Sequence, residues 1–258
     1  MTRPYLTLIY PAFNEAAIIL GTLAKTVDYF ERRRISYQII VAADGNDGTR
    51  DLVAEIGKAN PAIQVIGHCE SLGKGRGIRE AVAMARGSII GYADADYKVP
   101  IEEYDKIDPL LKEFDVVCGS RALERSLIER KQPLYRRIGG RGFAIFMKTI
   151  IGLRGTTDSQ CGFKFFRRDI AMELFRCQRI DGYMFDVEVL SVASLFGYRV
   201  KEVPIRWRDD GDSRLQLLSG NIRNVIDIFR IRILRGKYRR LQTLSADKTP
   251  AAVAAAAH

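Results

Sequence analysis

The sequence predicts an α/β fold, in which a mainly parallel sheet carries helices on both faces and a basic amphipathic helical segment follows toward the C-terminus. Three observations predict it. Apolar stretches of strand length alternate with stretches of helical periodicity from residue 5 onward. Polar clusters follow the apolar stretches, where ligands bind in parallel sheets. The 258 residues are 47% hydrophobic and 28% charged, which suits a large core and excludes a disordered or collagen-like chain.

The first half of the chain shows the alternation most clearly. A short buried strand in YLTLIYPAFNE is expected to stop at Pro11, and a helix is expected from Glu15 to about Arg34. The cluster PAFNE and two later ones, ADGNDG and DAD, each follow a predicted strand and are expected to meet in one crevice. The other strands are expected in YQIIVAADG, AIQVIGH and GSIIGYADAD, and the helices in TRDLVAEIGKA and GIREAVAMAR.

The pattern is less regular after residue 105. DVVCGSRAL predicts a strand that brings Ser120 and Arg121 to the same edge, and TTDSQCGFKFFRRD, YMFDVEVLSVASLFG and YRVKEVPIRWRD predict a strand, a helix and a strand. No Pro/Gly-rich linker and no repeat interrupts the chain. We therefore expect one domain over residues 1–215, a basic amphipathic helix region over 216–242 and a disordered tail over 243–258.

The formal net charge of +10 is concentrated in two segments, with +7 in residues 121–154 and +6 in residues 217–241. The second segment is typical of a helix on an anionic membrane surface, although docking of this helix on the core explains the same pattern. Nucleic acid is not an expected partner, because no zinc finger or RNP signature is present and few aromatic residues lie among the basic ones. The apolar stripe of the second segment comprises Leu218, Ile222, Val225, Ile226, Phe229 and Ile233.

Cysteine and histidine usage and the hydropathy pattern narrow the class of protein further. The four cysteines form no C-x-x-C pair and there are two histidines, so a zinc site is not expected. The opening MTRPYLTLIYPAFNE does not resemble a signal peptide. Apolar runs such as residues 143–153 are far shorter than the roughly 20 residues of a spanning helix. The expected location is cytoplasmic, with any membrane contact peripheral.

Asp94 and Asp96 are the strongest candidates for chemistry. One small residue separates them at the end of a predicted strand, so both carboxylates can serve as hard oxygen ligands of Mg²⁺ or Mn²⁺. Mg²⁺ takes few protein carboxylates and completes its coordination with phosphate oxygens and water, so a diphosphate is the expected co-ligand. Acidic loop residues without a function can share this spacing, and the position in the crevice favours the metal site.

Other polar segments are ambiguous on their own. GKGRGIRE, which contains Lys74 and Arg79, is either a phosphate site at a helix N-terminus or a solvent-facing turn. Asp44 either accepts a hydrogen bond from a nucleobase or belongs to a turn, and Asn14 and Glu15 either bind a ligand or only start a helix. Their expected convergence with the two aspartates favours the functional interpretation.

The motifs PAFNE, AADGNDGT, GKGRGIREA, DAD, GSR, DSQCGFKFF, FDVEVL and EVPIRW resemble, in this order, family 2 glycosyltransferases of the GT-A fold, and among them the dolichyl- or polyprenyl-phosphate sugar synthases. The likeness runs from about residue 5 to 215, and the later motifs are similar to dolichyl-phosphate glucosyltransferases. It implies that residues 1–215 form a catalytic domain that moves a hexose, with inversion, from a nucleoside-diphosphate sugar to a polyprenyl phosphate. UDP-glucose is the favoured donor and GDP-mannose the next.

The resemblance also implies roles for individual residues. Asp94 and Asp96 match the aspartates that hold the metal and the diphosphate, and Asp158 is a candidate for orienting the sugar or the acceptor. The acceptor phosphate is expected to meet Arg121, together with Arg136 or Arg137 and with Arg214. The nucleotide sugar is expected to contact Pro11, Phe13, Asn14, Glu15, Asp44, Lys74, Arg79 and Asp94.

Two positions depart from the family pattern. Lys98 stands where some relatives offer a glutamine as a metal ligand, and Arg214 ends a Gly211–Arg214 segment where the family has glycine-x-serine-lysine. A phosphate monoester is largely ionised at pH 7, so a lipid phosphate acceptor needs no strong general base. Two other functions stay open at this point: a soluble glycosyltransferase acting on a saccharide or small alcohol, and a membrane-surface binding protein with a vestigial nucleotide site.

Overall fold

The structure, a computed structural model, describes residues 3–124, 126–128, 149–153, 156–208 and 219–246. Its strands are β1 Leu6–Phe13, β2 Tyr37–Asp44, β3 Ile63–Ile66, β4 Ile89–Ala93, β5 Val116–Ser120, β6 Leu127–Ile128, β7 Phe163–Arg167, β8 Val200–Pro204 and β9 Arg206–Trp207. Its α-helices are α1 Ile19–Arg32, α2 Thr49–Ala59, α3 Lys74–Met84, α4 Tyr104–Ile107, α5 Arg168–Cys177, α6 Phe185–Leu195 and α7 Ser219–Ala246. Short 3₁₀ turns, Ile101–Glu103 and Asp108–Lys112, flank α4.

Seven strands form one mainly parallel sheet in the order β3-β2-β1-β4-β7-β5-β8, while β6 and β9 pair separately. Only β7 runs against its neighbours in the large sheet, pairing antiparallel with both β4 and β5. The carboxyl ends of β4 and β5 therefore lie beside the start of β7. Residues that precede β7 reach the same edge of the sheet as residues that follow β4 and β5.

The sheet is covered on both faces, as the sequence predicts. One core cluster joins the sheet to α3, α5, α6 and α7, through buried residues such as Ile78, Leu174 and Val189. A second cluster joins the opposite face to α1, α2 and α4, through residues such as Leu23 and Val53. Burial of these apolar side chains on both faces stabilises the sheet without a disulfide bond in the described part of the chain, whose four cysteines are free.

Two local expectations are corrected by the structure, and one helix is additional to those predicted. Strand β1 does not stop at Pro11 but runs through it to Phe13; β1 pairs with β4 only as far as Ile9, so the proline lies where β1 is paired on one side alone. Helix α1 begins at Ile19 and ends at Arg32, because residues 15–18 form a turn and Arg34 has a left-handed backbone. Helix α5, which follows β7 directly, was not predicted.

Helix α7 presents two different faces. Ile228, Ile231 and Tyr238 are buried against the core that includes α6, so this helix docks on the domain. On the outer face Ile222 is 69% exposed and Ile233 is 70% exposed. The described part of the predicted apolar stripe therefore lies largely outward, and different residues make the contact with the core. Within the described ranges, none of the helices combines the length and hydropathy of a membrane span.

Candidate active site

Asp94 and Asp96 lie on a tight turn directly beyond β4. The backbone N–H of Asp94 donates to the carbonyl of Gly162 at 3.1 Å, and the N–H of Tyr97 donates to the carbonyl of Asp94 at 3.3 Å. Tyr97 has a left-handed backbone with φ of 55°, which helps to close the turn. Both carboxylates are thereby attached to the end of a fully buried strand.

Each of the two aspartates is ion-paired with a lysine. Lys74 Nζ lies 2.6 Å from Asp94 Oδ1, and Lys98 Nζ lies 2.7 Å from Asp96 Oδ2. Burial by itself lowers the pKa of Lys74, but the charges of Asp94 and Asp186 and the hydrogen bond to Asp94 raise it above its ordinary value. The crevice thus holds charged ammonium groups beside carboxylates that remain open to solvent, with the Asp94 side chain 43% exposed.

The chemistry of these donors fits a divalent cation that is shared with a ligand. Lys74 occupies one oxygen of Asp94, and the Asp96 oxygen that does not pair with Lys98 Nζ accepts the Lys98 N–H at a long 3.3 Å. No group of three or more Asp, Glu, His or Cys side chains that could hold a metal occurs in the described ranges. Two carboxylates supply part of a coordination sphere that phosphate oxygens and water complete for Mg²⁺ or Mn²⁺.

The N-terminus of α3 brings Lys74 to this turn. Gly73 precedes it with φ of 106°, and a Cβ at that position would lie 2.3 Å from the carbonyl oxygen of Asp181. That carbonyl accepts the N–H groups of Gly75 at 2.8 Å and Arg76 at 3.2 Å. Arg79 pairs with the Asp181 carboxylate at 2.7 Å. The N–H groups of Gly75 and Arg76 at this helix N-terminus thus already have a backbone partner, and Lys74 is the cation of this segment that reaches Asp94.

The nucleoside candidates lie at the adjoining ends of β1 and β2, where Phe13 is opposite Asp44. Both oxygens of Asp44 accept backbone N–H groups, from His68 at 3.1 Å and Leu72 at 2.9 Å. Asn14, which has φ of 54°, accepts the N–H of Asn46 at 3.1 Å. The structure therefore brings Pro11, Phe13, Asn14, Glu15 and Asp44 together, with Asp44 tying the segment before α3 to the end of β2.

Arg121 and Asp158 form a bidentate pair beyond β5. Arg121 Nε donates to Asp158 Oδ2 at 2.7 Å, its terminal nitrogen donates to Oδ1 at 2.9 Å, and its backbone N–H also reaches Oδ2 at 3.0 Å. The Trp207 ring lies 5.6 Å from the guanidinium carbon. Asp158 accordingly orients Arg121, whose side chain is 34% exposed.

Electrostatics keep this pair charged. Burial raises the pKa of Asp158, but the hydrogen bonds and charge of Arg121 lower it by more. The pKa of Asp158 therefore lies below its ordinary value. Burial lowers the pKa of Arg121, and Asp158, with a smaller contribution from Asp94, raises it above its ordinary value. Arg121 follows β5 and Asp94 follows β4, so both lie at the same edge of the sheet.

Sequence reasoning missed the acidic residues that hold these groups. Glu202 of β8 accepts the backbone N–H of Asp158 at 2.8 Å and that of Thr157 at 2.7 Å, and Asp181 accepts Arg79. Glu202 opens the EVPIRW motif, so an acidic residue within a predicted strand was a usable signal. Three predicted acceptor arginines, Arg136, Arg137 and Arg214, lie outside the described residues.

Comparison with known proteins identifies the class of enzyme. The profile described as "Glycosyl transferase family 2" matches residues 7–175, from β1 into α5. The chain belongs to that family and is a glycosyltransferase.

The chain is similar over most of its length to proteins named dolichyl-phosphate beta-glucosyltransferase. One from Trichomonas vaginalis is 35% identical over 242 residues, covering 89% of this chain and 71% of that protein. Those of Dictyostelium discoideum and Homo sapiens are 30% and 27% identical and cover 88% and 92% of this chain and 74% and 78% of their own lengths.

Solved structures confirm the GT-A fold. Mannosyl-3-phosphoglycerate synthase from Rubrobacter xylanophilus matches with a TM-score of 0.68 and 20% identity, over 92% of this chain and 75% of that one. Glucosyl-3-phosphoglycerate synthase from Mycobacterium tuberculosis, in complex with uridine diphosphate, matches with a TM-score of 0.63 and 16% identity, over 89% and 80%.

Proposed function

We propose that this enzyme transfers glucose from UDP-glucose to dolichyl or another polyprenyl phosphate at a membrane surface, with inversion at the anomeric carbon. The observation that carries the proposal is the Arg121 guanidinium, fixed by Asp158 at the same edge of the sheet as Asp94. It adds a site for a second anion to the site for the donor diphosphate. The names of the relatives support glucose as the sugar and dolichyl phosphate as the acceptor.

The donor side of the proposed reaction uses Asp94, Asp96 and Lys74. The two aspartates would hold Mg²⁺ or Mn²⁺, which neutralises the negative charge on the departing diphosphate. Lys74, whose ammonium group pairs with Asp94 Oδ1 in this structure, would face a diphosphate oxygen. A solved structure of the Mycobacterium tuberculosis synthase contains Mn²⁺ and UDP-glucose. It is 18% identical to this chain and has the same fold, with a TM-score of 0.62. The nucleoside would lie against Phe13, Asn14 and Asp44.

The acceptor side requires positioning more than proton transfer. An oxygen of the lipid phosphate attacks the anomeric carbon, the new C–O bond forms, and the bond from that carbon to the diphosphate breaks with its electrons leaving on the nucleotide. No proton is lost, because the phosphate oxygen is already ionised at pH 7. Arg121 binds this phosphate, and Arg136, Arg137 and Arg214 are proposed to share the task. An α-linked donor then yields the β product that the names of the relatives specify.

Helix α7 supplies the proposed contact with the membrane. Its outward residues Ile222, Ile226 and Ile233 are each more than half exposed, and Arg230 and Lys237 lie exposed on the same helix. Apolar side chains flanked by cations suit the interface of an anionic bilayer. We expect anionic vesicles to retain the wild-type protein and to release a variant with Ile222→Ser and Ile233→Ser. Leu20→Ser, at an exposed position on α1, is the matched control, and equal retention of all three proteins would contradict this assignment.

The whole proposal is tested with labelled donors and two kinds of acceptor. Purified protein is incubated with UDP-glucose or GDP-mannose, Mg²⁺ or Mn²⁺, and either polyprenyl phosphate in liposomes or soluble 3-phosphoglycerate. We expect label from UDP-glucose in the organic extract and none on the soluble acceptor. Transfer to 3-phosphoglycerate would indicate a glycosyltransferase with a soluble acceptor. Label in the organic extract from GDP-mannose alone would show that the transferred sugar is mannose and not glucose. Nucleotide binding without any transfer would reject both acceptors.

A further inference from the structure

A buried lysine lies beneath the crevice and takes no part in the reaction described above. Lys164, the second residue of β7, is 0% exposed and lies between β4 and β5, opposite Tyr92 on one side and Cys118 on the other. Its ammonium group donates to Asp186 Oδ1 at 2.7 Å and to the carbonyl oxygen of Cys161. An ammonium group in the interior is costly unless it is paired, and replacing such a pair by apolar residues often preserves stability. Its presence therefore calls for a role beyond stability.

The contact with Cys161 places Lys164 next to the metal-site turn. The residue after Cys161 is Gly162, whose carbonyl accepts the Asp94 N–H at 3.1 Å. A Cβ on Gly162 would lie 2.3 Å from Asp94 Oδ2, so the bare backbone of this glycine packs directly against the carboxylate. The position of the Cys161–Gly162 backbone thus determines where the Asp94 carboxylate lies. Lys164 fixes that backbone from below.

The same segment carries the partner of Arg121. Asp158 lies three residues before Cys161, and its carboxylate holds both the guanidinium and the backbone N–H of Arg121. The charge of Lys164 contributes to the lowered pKa of Asp158. One buried ammonium therefore supports a segment, residues 158–162, that touches the donor side through Asp94 and the acceptor side through Arg121.

Asp186 completes the network on the other side. It lies in the first turn of α6, 3% exposed, and also accepts the hydroxyl of Tyr92, two residues before Asp94 in β4. Lys164 is thereby linked to α6 through Asp186, and through Asp186 to Tyr92 of β4, by groups that are themselves buried. A side chain fixed in this way has no solvent-exposed rotamer to adopt, so its ammonium group holds the Cys161 carbonyl in one position.

We propose that Lys164 is a positioning residue, whose ammonium hydrogen bond to the Cys161 carbonyl sets residues 158–162 so that Asp94 and Arg121 face the same substrate gap. The part that concerns Arg121 and the acceptor phosphate rests on the proposed function. The part that concerns Asp94 depends only on binding of a metal with a nucleotide.

Two double variants separate positioning from a merely structural role. Lys164→Met with Asp186→Asn and Lys164→Gln with Asp186→Asn remove the same charges and have side chains of similar size. Only glutamine can still donate to the Cys161 carbonyl. Thr7→Val, which removes a buried hydrogen bond to Gln38 at the start of β1, is a control for a loss of stability far from the crevice.

The readouts are thermal unfolding, hydrogen exchange of residues 158–162, and titration of Mn²⁺ in the presence of UDP, followed by the signal of free Mn²⁺. We expect both double variants to fold. The methionine variant should bind Mn²⁺ with UDP about tenfold or more weakly and exchange faster at 158–162, in line with other residues that orient metal ligands. The affinity of the glutamine variant and of Thr7→Val for Mn²⁺ in the presence of UDP should remain within about threefold of the wild-type affinity.

Equal Mn²⁺ affinities and exchange rates in the two double variants would overturn the proposal. Failure of either double variant to fold would also overturn it, because Lys164 would then be a requirement of the fold. None of these readouts uses a lipid or a sugar. Absence of transfer by the wild-type enzyme would therefore reject the proposed function and leave the test of Lys164 intact.

Discussion

Two lysine–aspartate pairs of nearly the same length lie in very different surroundings. Lys74 and Asp94 are 2.6 Å apart, with side chains 18% and 43% exposed, whereas Lys164 and Asp186 are 2.7 Å apart with side chains 0% and 4% exposed. The first pair lies in the crevice and the second lies directly beneath it. Distance alone therefore does not distinguish the roles of the two pairs.

Solvent access decides what each pair can do. Water and a ligand can replace the partner of an exposed ion, so the Lys74–Asp94 pair can open when a cation and a diphosphate arrive. The partner of a sealed ion cannot be replaced without leaving an uncompensated charge in the interior. The crevice pair is thus suited to exchange, and the buried pair is suited to hold a fixed geometry.

The strongest test of an exchangeable crevice pair is Asp94→Asn. We expect transfer to fall about a thousandfold, which corresponds to about 4 kcal/mol of barrier, because an amide replaces a charged metal ligand. The melting temperature should stay close to that of wild type. The matched control is Asp28→Asn, which removes an exposed ion pair with Arg32 at 2.9 Å. Near-normal turnover by Asp94→Asn would remove the metal role.

Lys74→Met tests the other member of that pair. We expect a fall of about tenfold to a hundredfold in kcat/KM, because one cation near the diphosphate is lost. The change in unfolding free energy should be below about 1 kcal/mol, since the pair is partly solvated. Lys58→Met, at an exposed pair with Glu55, is the control. If Lys74→Met changed the unfolding free energy strongly but left kcat/KM unchanged, the Lys74–Asp94 pair would have a structural role like that of the Lys164–Asp186 pair.

Arg121→Lys extends the comparison to the acceptor side. Lysine keeps the charge but cannot make the two parallel hydrogen bonds to Asp158, so we expect KM for the lipid acceptor to rise about tenfold. KM for the nucleotide sugar should change little. Steady-state kinetics with each substrate varied in turn measures the split, and equal effects on both values would contradict the assignment of Arg121.

Acid titration gives the smallest effect. The pKa of Asp158 is lower in the folded protein than in the unfolded chain, so its stabilising contribution is present above about pH 4 and is lost as the pH falls through the folded value. We expect urea unfolding of wild type and Asp158→Asn to differ by about 1 to 2 kcal/mol at neutral pH, allowing for the partly exposed guanidinium. The difference should shrink below about pH 4. A difference that is the same at pH 3 and pH 7 would show that Asp158 is not ion-paired in solution.

Much of the fold and part of the site could be predicted from the sequence. Strand and helix periodicity and polar residues after strands correctly placed Asp44, Asp94 and Arg121 at one edge of the sheet. The site residues associated with antiparallel strand β7 precede that strand, so a search for polar residues after strand ends does not find them. Asp158 was named only through the family resemblance. The contacts of Asp158 with Arg121, 37 residues away, depend on that reversal.

Local propensity also failed where long-range hydrogen bonds decide the backbone. The turn at residues 15–18 delays α1 because Thr49 accepts the N–H of Glu15 at 3.0 Å and Asp47 accepts that of Ala16 at 2.9 Å. These partners lie more than 30 residues along the chain, and no pattern within the first helix reveals them. Lys164 was missed for a similar reason, since a lysine among phenylalanines in FKFF shows no periodicity of its own.

The hydrogen bonds of buried Glu188 in α6 limit how far the chain can be truncated from its C-terminus. Its carboxylate accepts the N–H groups of Arg179 at 2.9 Å and Ile180 at 2.8 Å, together with the hydroxyl of Tyr238 in α7 at 2.5 Å. A fragment cut at residue 175, where the family match ends, would lose β8 and both of these helices. The smallest autonomous fragment of this enzyme consequently has to extend past Tyr238, and expression boundaries drawn from the family match alone would yield an incomplete core.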